Sequence, residues 1–359
     1  MNLFFASFIP GLQNFIAETV RERLPDVKIY KLLDGAVLFE TGTSYDKLNF
    51  FCFNNIFAVI SIMEHTEKSG SLETKVMLEK HIKATIKNSN TKEAAEIIAN
   101  NSKNIRTFRI AVSAENIPAS VDENLRTEAE KYISRLSGLK INRSLPDTEF
   151  WFLFRREDRE QEQNFSCFMK RLTLRPSWEK TLHKGELPPP LAWTMCRLAR
   201  LKHNDVVLDP FCGYGSIPQA ALKHFHIQKF FACDNDKEAA SHISARFKKR
   251  KSENFTFYRN DFNSLPSIIG EKGVDVIVTD PPWGHFKEIN ENDFYAKMFE
   301  VFGRLLKEGG RVVVLCANDG LKGTAPSCFA AQDSIPILLS GRKAVIYRFM
   351  YSLKANMHL

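Results

Sequence analysis

In the first sixty residues, apolar positions recur either at every second residue, as in strands, or at every third to fourth residue, as in helices. The predicted strands are residues 3–8, 28–33, 36–39 and 56–63. Asp34-Gly35, between the second and third strands, predicts a tight hairpin turn. One predicted helix follows the Pro10-Gly11 turn, and a second, short helix covers residues 48–51. This β-α-β-β-α-β order is the ferredoxin-like plan.

A second mixture of helices and strands follows the polar stretch near residue 66. Helical periodicity covers residues 72–86, 92–99 and 122–138, and Asp122 and Gly138 are suitable caps for the third helix. Strand alternation covers residues 107–112, 149–154 and 165–169. The pattern predicts another α+β domain.

From residue 175 the chain becomes turn-rich, and then strands alternate with helices. The predicted strands are residues 206–208, 230–233, 255–259, 274–278, 311–315, 335–338 and 343–351. Such alternation predicts a parallel, doubly wound sheet, with the last two strands as an antiparallel pair at one edge.

The predicted fold class is therefore α/β, with a C-terminal Rossmann-like sheet after two α+β domains. The predicted boundaries are 1–66 for the ferredoxin-like domain, 67–158 for the second domain, 159–185 for a linker and 186–359 for the Rossmann-like domain.

Composition and charge narrow the class of protein. The 359 residues are 44% hydrophobic and 26% charged, which is typical of a soluble globular protein, and the net charge of +8 favours a polyanionic partner. Seven cysteines without a CxxC pair predict neither a zinc site nor disulfides, and they fit a reducing cytoplasm. The apolar start lacks a basic segment and is interrupted by Pro10-Gly11, so no signal peptide is predicted, and no apolar run is long enough to span a membrane.

The sequence DPFCGYGS contains the first candidate site, because a buried strand ends there in a glycine-rich turn. Pro218 stands where a dinucleotide-binding turn has its third glycine, and Asp209 would repel a pyrophosphate. A cationic amino-acid group would be attracted instead, which favours S-adenosylmethionine. The turn residues predicted to bind this cofactor are Asp209, Phe211, Cys212, Gly213 and Gly215.

Four acids stand at the carboxyl ends of four successive predicted strands, where ligands bind in such sheets. They are Asp209, Asp234, Asp261 and Asp280. Asp234, with Asn235 beside it, is placed to accept hydrogen bonds from ribose hydroxyls. Asp261 and the backbone N–H of Phe262 are placed to recognise an adenine ring. Asp236 is better explained as a helix cap.

The motif Asp280-Pro281-Pro282-Trp283 is the predicted catalytic loop. Two prolines restrict the backbone and remove donors, which leaves carbonyl oxygens to face a ligand. A carboxylate and a carbonyl can hold an exocyclic amino group between them, and the indole offers a face for a planar base.

Basic residues gather near the end of the second predicted domain. They are Arg155, Arg156, Lys170, Arg171 and Arg175, and we predict that they contact RNA.

DPFCGYGS followed by DPPW resembles the amino-group branch of class I, Rossmann-like methyltransferases. Together with the N-terminal region and RLTLRPSWEKTLHKGELPPPLAWTMCRLA, it is similar to the THUMP-domain RNA guanine-N2 methyltransferases. The resemblance implies that residues 67–158 are a THUMP domain that grips the acceptor end of tRNA and that the C-terminal catalytic domain methylates a guanine exocyclic amine. It also implies that Leu187 and Pro188 line the cofactor entrance. Trp283 stands where that family more often has Tyr, and His285-Phe286 replaces a site where a basic residue is common.

Two alternative functions remain. One is methylation of adenine N6 in DNA or of another amino group such as protein glutamine, since those enzymes also use an acid or Asn followed by Pro-Pro-aromatic. The other is a non-catalytic RNA-binding protein with a relic cofactor fold. A cytosine-C5 enzyme would need a cysteine in the loop, so Cys212, Cys233 and Cys316 are better explained as core residues.

Overall fold

The computed structural model describes residues 1–353 except 46, 49, 66–70, 88–91, 101–103, 159–162, 174–181, 184, 248–253, 284–290 and 318–320. The chain forms two compact units. Unit 1 is Met1–Phe8 with Gln13–Pro176, and unit 2 is Ile9–Leu12 with Ser177–Leu359. No helix among the described residues is long and apolar enough to cross a bilayer.

Unit 1 contains nine strands and four helices among its described residues. The strands are β1 Asn2–Ser7, β2 Lys28–Leu33, β3 Ala36–Thr41, β4 Asn55–His65, β5 Thr107–Ala114, β6 Ile117–Pro118, β7 Lys140–Ile141, β8 Thr148–Asp158 and β9 Gln163–Arg171. The helices are α1 Gln13–Arg23, α2 Ser71–Lys87, α3 Lys92–Ala99 and α4 Glu123–Ser137. The predicted caps of α4 are present, because Asp122 accepts from the Leu125 N–H at 3.0 Å and Gly138 has φ 70°.

The first four strands pair in the order β2-β3-β1-β4, and all three pairings are antiparallel. This is the ferredoxin-like strand order. The second helix predicted over 48–51 is absent from the described residues, which form turns and bends between β3 and β4. Phe50 and Phe53 are buried there and pack their rings 5.2 Å apart, so their apolar character reflects burial of an irregular segment.

Strand β9 joins the two predicted N-terminal domains into one sheet. It pairs with β4 on one side and with β8 on the other, both antiparallel. The full order is β2-β3-β1-β4-β9-β8-β5-β6, with β7 on β5. The predicted linker 159–185 therefore differs from the structure, since residues 163–171 are a central strand and unit 1 extends to Pro176. Phe152 of β8 and Phe168 of β9 stack 4.4 Å apart in the core under α2 and α4.

Unit 2 is the predicted Rossmann-like sheet with its helices. The strands are β10 Val206–Asp209, β11 Lys229–Cys233, β12 Phe255–Tyr258, β13 Val274–Thr279, β14 Leu306–Cys316, β15 Phe329–Leu339 and β16 Arg342–Tyr351. The α-helices are α5 Pro189–Leu198, α6 Ser216–His224, α7 Lys237–Phe247, α8 Leu265–Ile269, α9 Glu291–Leu305 and α10 Leu321–Thr324, with a 3-10 turn at Phe262–Ser264.

The sheet of unit 2 has the order β12-β11-β10-β13-β14-β16-β15. The first five strands are parallel, and β16 and β15 are antiparallel, which confirms the predicted edge pair. The strand order reverses between β10 and β13, and the carboxyl ends of strands at such a reversal form a crevice. The α/β fold class is thus confirmed, and the crevice is where the predicted acids converge.

Candidate functional site

A cavity of about 1020 Å³ lies at the carboxyl ends of β10 to β13. Nearly every residue predicted to bind cofactor or substrate lines it. Those residues are Leu187, Pro188, Asp209, Phe211, Cys212, Gly213, Asp234, Asn235, Asp261, Phe262 and the four residues of the Asp280–Trp283 motif. Of the residues predicted to bind cofactor or to form the catalytic loop, Gly215 alone is not part of the described lining.

The glycine turn is held by two acceptors at the end of the neighbouring strand β11, one from the backbone and one from a side chain. The Cys212 N–H donates to the carbonyl of Cys233 at 3.0 Å, and the Gly213 N–H donates to Asp234 Oδ2 at 2.7 Å. Gly215 has φ 87°, and a side-chain carbon there would lie 3.3 Å from the Phe247 ring. Gly215 is therefore required for backbone conformation and for contact with α7, and α6 begins immediately after it.

Asp209 is buried at the end of β10. Its Oδ1 accepts from Thr279 Oγ1 at 2.7 Å and from the Phe211 N–H at 3.2 Å. Burial raises its pKa to about 8, against the effect of these two hydrogen bonds, and the nearby Asp234 and Asp280 raise it further. A cationic ligand would relieve this crowding of carboxyl groups, whereas a pyrophosphate would increase it. These carboxyl groups therefore fit the ammonium and sulfonium of S-adenosylmethionine.

Asp234 connects the end of β11 to the glycine turn. Its Oδ2 accepts from Gly213, and its Oδ1 accepts from the Asp236 N–H at 2.9 Å. Burial raises the pKa of Asp234 despite these bonds. Each carboxylate oxygen has a second lone pair, so both oxygens can still accept from ribose hydroxyls. Asp236 caps α7 by accepting from the Ala239 N–H at 2.8 Å, as predicted.

Asp261 begins the 3-10 turn that follows β12. Its Oδ1 accepts from the backbone N–H and from Nδ2 of Asn263, at 2.9 and 2.6 Å. These bonds orient the carboxyl group at the cavity wall. The adjacent Phe262 packs with Phe211 and Phe294, with ring centroids 4.9 and 5.8 Å from it. Phe294 of α9 lines the cavity too.

The Asp280–Trp283 motif leaves the end of β13 next to the glycine turn. The indole N–H of Trp283 donates to Asp280 Oδ1 at 2.8 Å. Burial raises the pKa of Asp280 to about 7, and the indole hydrogen bond opposes that shift. A protein carboxyl group with this pKa can change its protonation state near neutral pH, as general bases do.

Leu187 and Pro188 precede α5. A hydrogen bond to Leu187 and an ion pair of Glu186, the residue before it, hold this segment at the cavity. Ser216 Oγ donates to the Leu187 carbonyl at 2.9 Å, and Glu186 forms an ion pair with Arg246 at 2.8 Å. The positions implied by the family resemblance are thus brought to the cavity. Glu186 itself lines the cavity, and no local motif in the sequence indicated it.

His183, Glu238 and His242 bring three possible metal ligands within 4.8 Å of one another. The prediction that the chain holds no metal was based on cysteine spacing and did not consider this group. The His183 ring stacks on Tyr214 at 4.1 Å and meets the His242 ring edge-on at 4.2 Å. Aromatic packing therefore accounts for the contact between the two histidine rings.

The structure contradicts three of the predicted RNA contacts in unit 1. Arg171 is buried and pairs with Glu149 at 2.8 Å, and Lys170 is buried with its Nζ donating to the carbonyls of Ile97, Ile98 and Asn100. Arg155 is 5% exposed and donates to the carbonyl of Asp34 at 3.1 Å.

These three basic side chains bond to groups within unit 1, because β8 and β9 are central strands whose residues are buried on both faces. The Arg156 N–H donates to Glu115 at 2.5 Å, and its side chain is half-buried. Arg175 lies outside the described residues.

Parts of the chain match known proteins in sequence. Residues 176–325 match the model of the family described as UPF0020, RMKL-like, methyltransferase domain. A tRNA (guanine(10)-N2)-dimethyltransferase of Methanocaldococcus jannaschii is 32% identical over 145 residues, which are 39% of this chain and 40% of that protein. A probable enzyme of the same name from Methanothermococcus thermolithotrophicus is 32% identical over 131 residues, covering 34% of this chain and 76% of that protein.

The fold as a whole also has a solved counterpart. The crystal structure of TrmN from Thermus thermophilus superposes with a TM-score of 0.75 at 20% identity, covering 98% of this chain and 100% of that one. The sheet and its cavity define a class I, Rossmann-like methyltransferase fold. The chain belongs to the family of the guanine-N2 RNA methyltransferases, which confirms the predicted resemblance. It spans 40% of the length of the first of these relatives.

Proposed function

We propose that the chain is an S-adenosylmethionine-dependent methyltransferase that acts on the exocyclic N2 amine of a guanosine in tRNA. The observation that supports this most directly is the position of Asp280. Its half-buried carboxyl group stands at the end of β13, between the glycine turn and Trp283, in the same cavity as Asp209. The names of the two archaeal relatives support tRNA and guanine N2 as the substrate.

The chemistry requires that a weakly nucleophilic amine be oriented. S-adenosylmethionine supplies an activated methyl group on a sulfonium. Asp280, with the Pro281 carbonyl, accepts hydrogen bonds from the two amine protons and directs the nitrogen lone pair toward the cofactor side of the cavity. Asp280 in its ionised form also accepts the proton that the product nitrogen loses. Trp283 holds the base by stacking while its N–H restrains Asp280.

Cofactor residues act on the other side of the same cavity. Asp209, at the end of β10, ionises as the cationic part of the cofactor approaches and then attracts it. Asp234 accepts from the ribose hydroxyls, and Asp261 with the Phe262 N–H recognises the adenine. Leu187 and Pro188 close the entrance. A guanosine in a paired region has to be extruded before it reaches Asp280, at a cost of a few kcal/mol.

Unit 1 is the proposed RNA-binding part, with residues 1–66 as its ferredoxin-like portion and 67–158 as its THUMP portion. The acceptor region of tRNA is the proposed contact. Arg156 and Arg175 remain the predicted basic contacts, without Arg155, Lys170 and Arg171. The seven cysteines are free thiols, which supports a reducing compartment such as the cytoplasm.

The test is transfer of labelled methyl groups from S-adenosylmethionine to bulk tRNA from a strain that lacks the protein, followed by mass-spectrometric mapping of the product nucleoside. We expect N2-methylated guanosine in tRNA. Transfer to adenine in DNA or to a protein side chain would replace the proposal with the amino-group alternative. RNA binding without transfer to any of these acceptors would favour the non-catalytic alternative.

A further inference from the structure

We infer that Arg342 binds a backbone phosphate of the RNA beside the nucleoside that enters the cavity. The inference rests on the proposed function and assigns a substrate contact to unit 2 itself. Arg342 is the first residue of β16, directly after a tight turn. It was not among the predicted site residues, because the sequence shows it only as one basic residue before a strand.

The charge of the cavity makes a cation at this position significant. Five carboxyl groups line it, from Glu186, Asp209, Asp234, Asp261 and Asp280. Arg342 is the only lysine or arginine among the described lining residues. An RNA strand approaching such a wall is repelled unless a positive group faces its phosphate. Arg342 is exposed, and within the described part of the chain no carboxylate forms an ion pair with it.

Sheet topology places Arg342 on the acceptor side of the cavity. Since β16 is antiparallel, its first residues lie at the edge where the parallel strands end. Val345 is opposite Cys316, the last residue of β14, so Arg342 extends about 10 Å beyond that strand end, at ~3.4 Å per residue.

The distances from β16 to the other strands show that Arg342 lies nearer the predicted substrate residues than the predicted cofactor residues. At ~4.8 Å per strand, β16 lies about 10 Å from β13, which Asp280 follows, and about 19 Å from β11, which Asp234 follows. Arg342 is therefore near the group that is proposed to hold the amine and far from the predicted ribose contact.

The turn before Arg342 fixes its direction. Ser340 and Gly341 have φ 49° and 80°, the left-handed pair that makes a two-residue hairpin turn between β15 and β16. Neighbouring residues of a strand point to opposite faces. Val345 and Tyr347 belong to the core cluster that also contains Met298 and Phe299 of α9, and Lys343 shares their face, so Arg342 points to the other one. Lys343 is exposed and is absent from the cavity lining, which makes it a matched control.

The experiment compares Arg342→Ala and Lys343→Ala in the full chain. Binding of tRNA is measured by filter retention over a series of KCl concentrations with S-adenosylhomocysteine present, and S-adenosylhomocysteine binding is measured by calorimetry. We expect Arg342→Ala to weaken tRNA binding about tenfold at low salt, as for a lost charge-assisted hydrogen bond. The plot of log binding constant against log KCl concentration should become less steep by about 0.7–0.9 in Arg342→Ala. Lys343→Ala should keep the wild-type slope. Neither variant should change the affinity for S-adenosylhomocysteine.

Four results would overturn the inference. Equal losses of tRNA affinity in both variants would indicate a diffuse surface charge effect. A loss of S-adenosylhomocysteine affinity in Arg342→Ala would make the residue a cofactor contact. If Arg342→Ala binds tRNA as tightly as wild type does, Arg342 makes no contact with RNA. The proposed function is then retained provided that the wild-type chain methylates tRNA. Failure of the wild-type chain to bind or methylate any RNA would overturn the function as well.

Discussion

The indole nitrogen of Trp283 lies 2.8 Å from Oδ1 of Asp280 and donates its proton to it. The residue predicted to stack on the base and the residue predicted to accept from it are therefore one hydrogen-bonded unit. A phenylalanine at 283 keeps an aromatic face but loses the donor. Stacking and carboxylate ionisation can thus be separated experimentally.

Trp283→Phe is expected to shift the pH dependence of methyl transfer to higher pH. The proposed role of Asp280 requires its ionised form, so kcat/KM should rise with pH around its pKa of about 7. A hydrogen bond to a charged group is worth ~1.5–3 kcal/mol, so losing the indole donor should move the midpoint up by about one to two pH units. The pH–rate profile is measured beside that of Trp193→Phe, a buried indole in α5. An unmoved midpoint would show that the indole does not control Asp280.

Asp280→Ala should separate catalysis from cofactor binding. The carboxyl group is proposed to contact the amine and not the cofactor, so S-adenosylhomocysteine affinity should stay within about twofold while single-turnover transfer falls by a factor on the order of 10² to 10³. Calorimetry and rapid-quench assays of the same preparation give the two quantities. A proportional loss of both would make Asp280 a cofactor ligand or a structural residue.

Binding of S-adenosylmethionine should release protons from the cavity at pH 7. Burial raises the Asp209 pKa to about 8, so the carboxyl group is mostly protonated there, and an approaching cation favours its ionised form. We expect release of up to about one proton per site. Calorimetry in buffers of different ionisation enthalpy measures it. Asp209→Asn should remove most of the release, and an unchanged value in that variant would assign the proton to another group.

Lowering the pH should destabilise unit 1 through His81. Its Nδ1 lies 2.7 Å from Ser166 Oγ and its Nε2 lies 2.9 Å from Ser61 Oγ, and burial lowers its pKa to about 4. The unfolded chain takes up a proton near pH 6.5, so between pH 6.5 and 4 it binds more protons than the folded chain, and stability is lost as pH falls. The loss could reach about 3 kcal/mol. Denaturant unfolding of His81→Gln should be less sensitive to pH in this window than that of wild type or of the exposed-site control His203→Gln.

Lys170→Met tests the structural role that replaces the predicted RNA contact. The Nζ group donates to three carbonyls at the end of α3, and the variant leaves them unsatisfied. The free energy of unfolding should fall by about 1–3 kcal/mol, whereas Lys80→Met on the exposed face of α2 should have little effect. Denaturant titration measures both. Unchanged stability with reduced tRNA affinity would restore Lys170 as an RNA contact.

The strands and the acids of unit 2 could be predicted because they depend on local signals. A buried parallel strand appears in sequence as an apolar run, and the residue at its carboxyl end has a known place in the fold. Asp209, Asp234, Asp261 and Asp280 therefore converge as predicted. Glu186 and Arg342 were missed because only the pairing of distant strands and the turn before α5 bring them to the cavity.

The errors in unit 1 have a common cause. Lys170 and Arg171 are neighbours, so they point to opposite faces of β9, and a basic pair of this kind normally indicates that at least one side chain is in solvent. Here β9 lies inside a nine-stranded sheet. On one face Glu149 pairs with Arg171, and on the other backbone carbonyls accept hydrogen bonds from Lys170. Nothing in the local sequence reveals those partners, because Glu149 and the α3 carbonyls are 22 and about 70 residues away.

The pairing of β4 with β9 also affects how the chain emerges during synthesis. His65 of β4 and Ser166 of β9 are 101 residues apart in sequence. At ~5–20 residues per second, the ribosome needs about 5 to 20 s to supply the second strand after the first. During that interval one edge of the N-terminal four-stranded sheet stays open, with Phe57 and Val59 next to it. Unpaired edges of this kind are where nascent chains associate wrongly, so this interval is when a nascent chain of this protein most needs a chaperone.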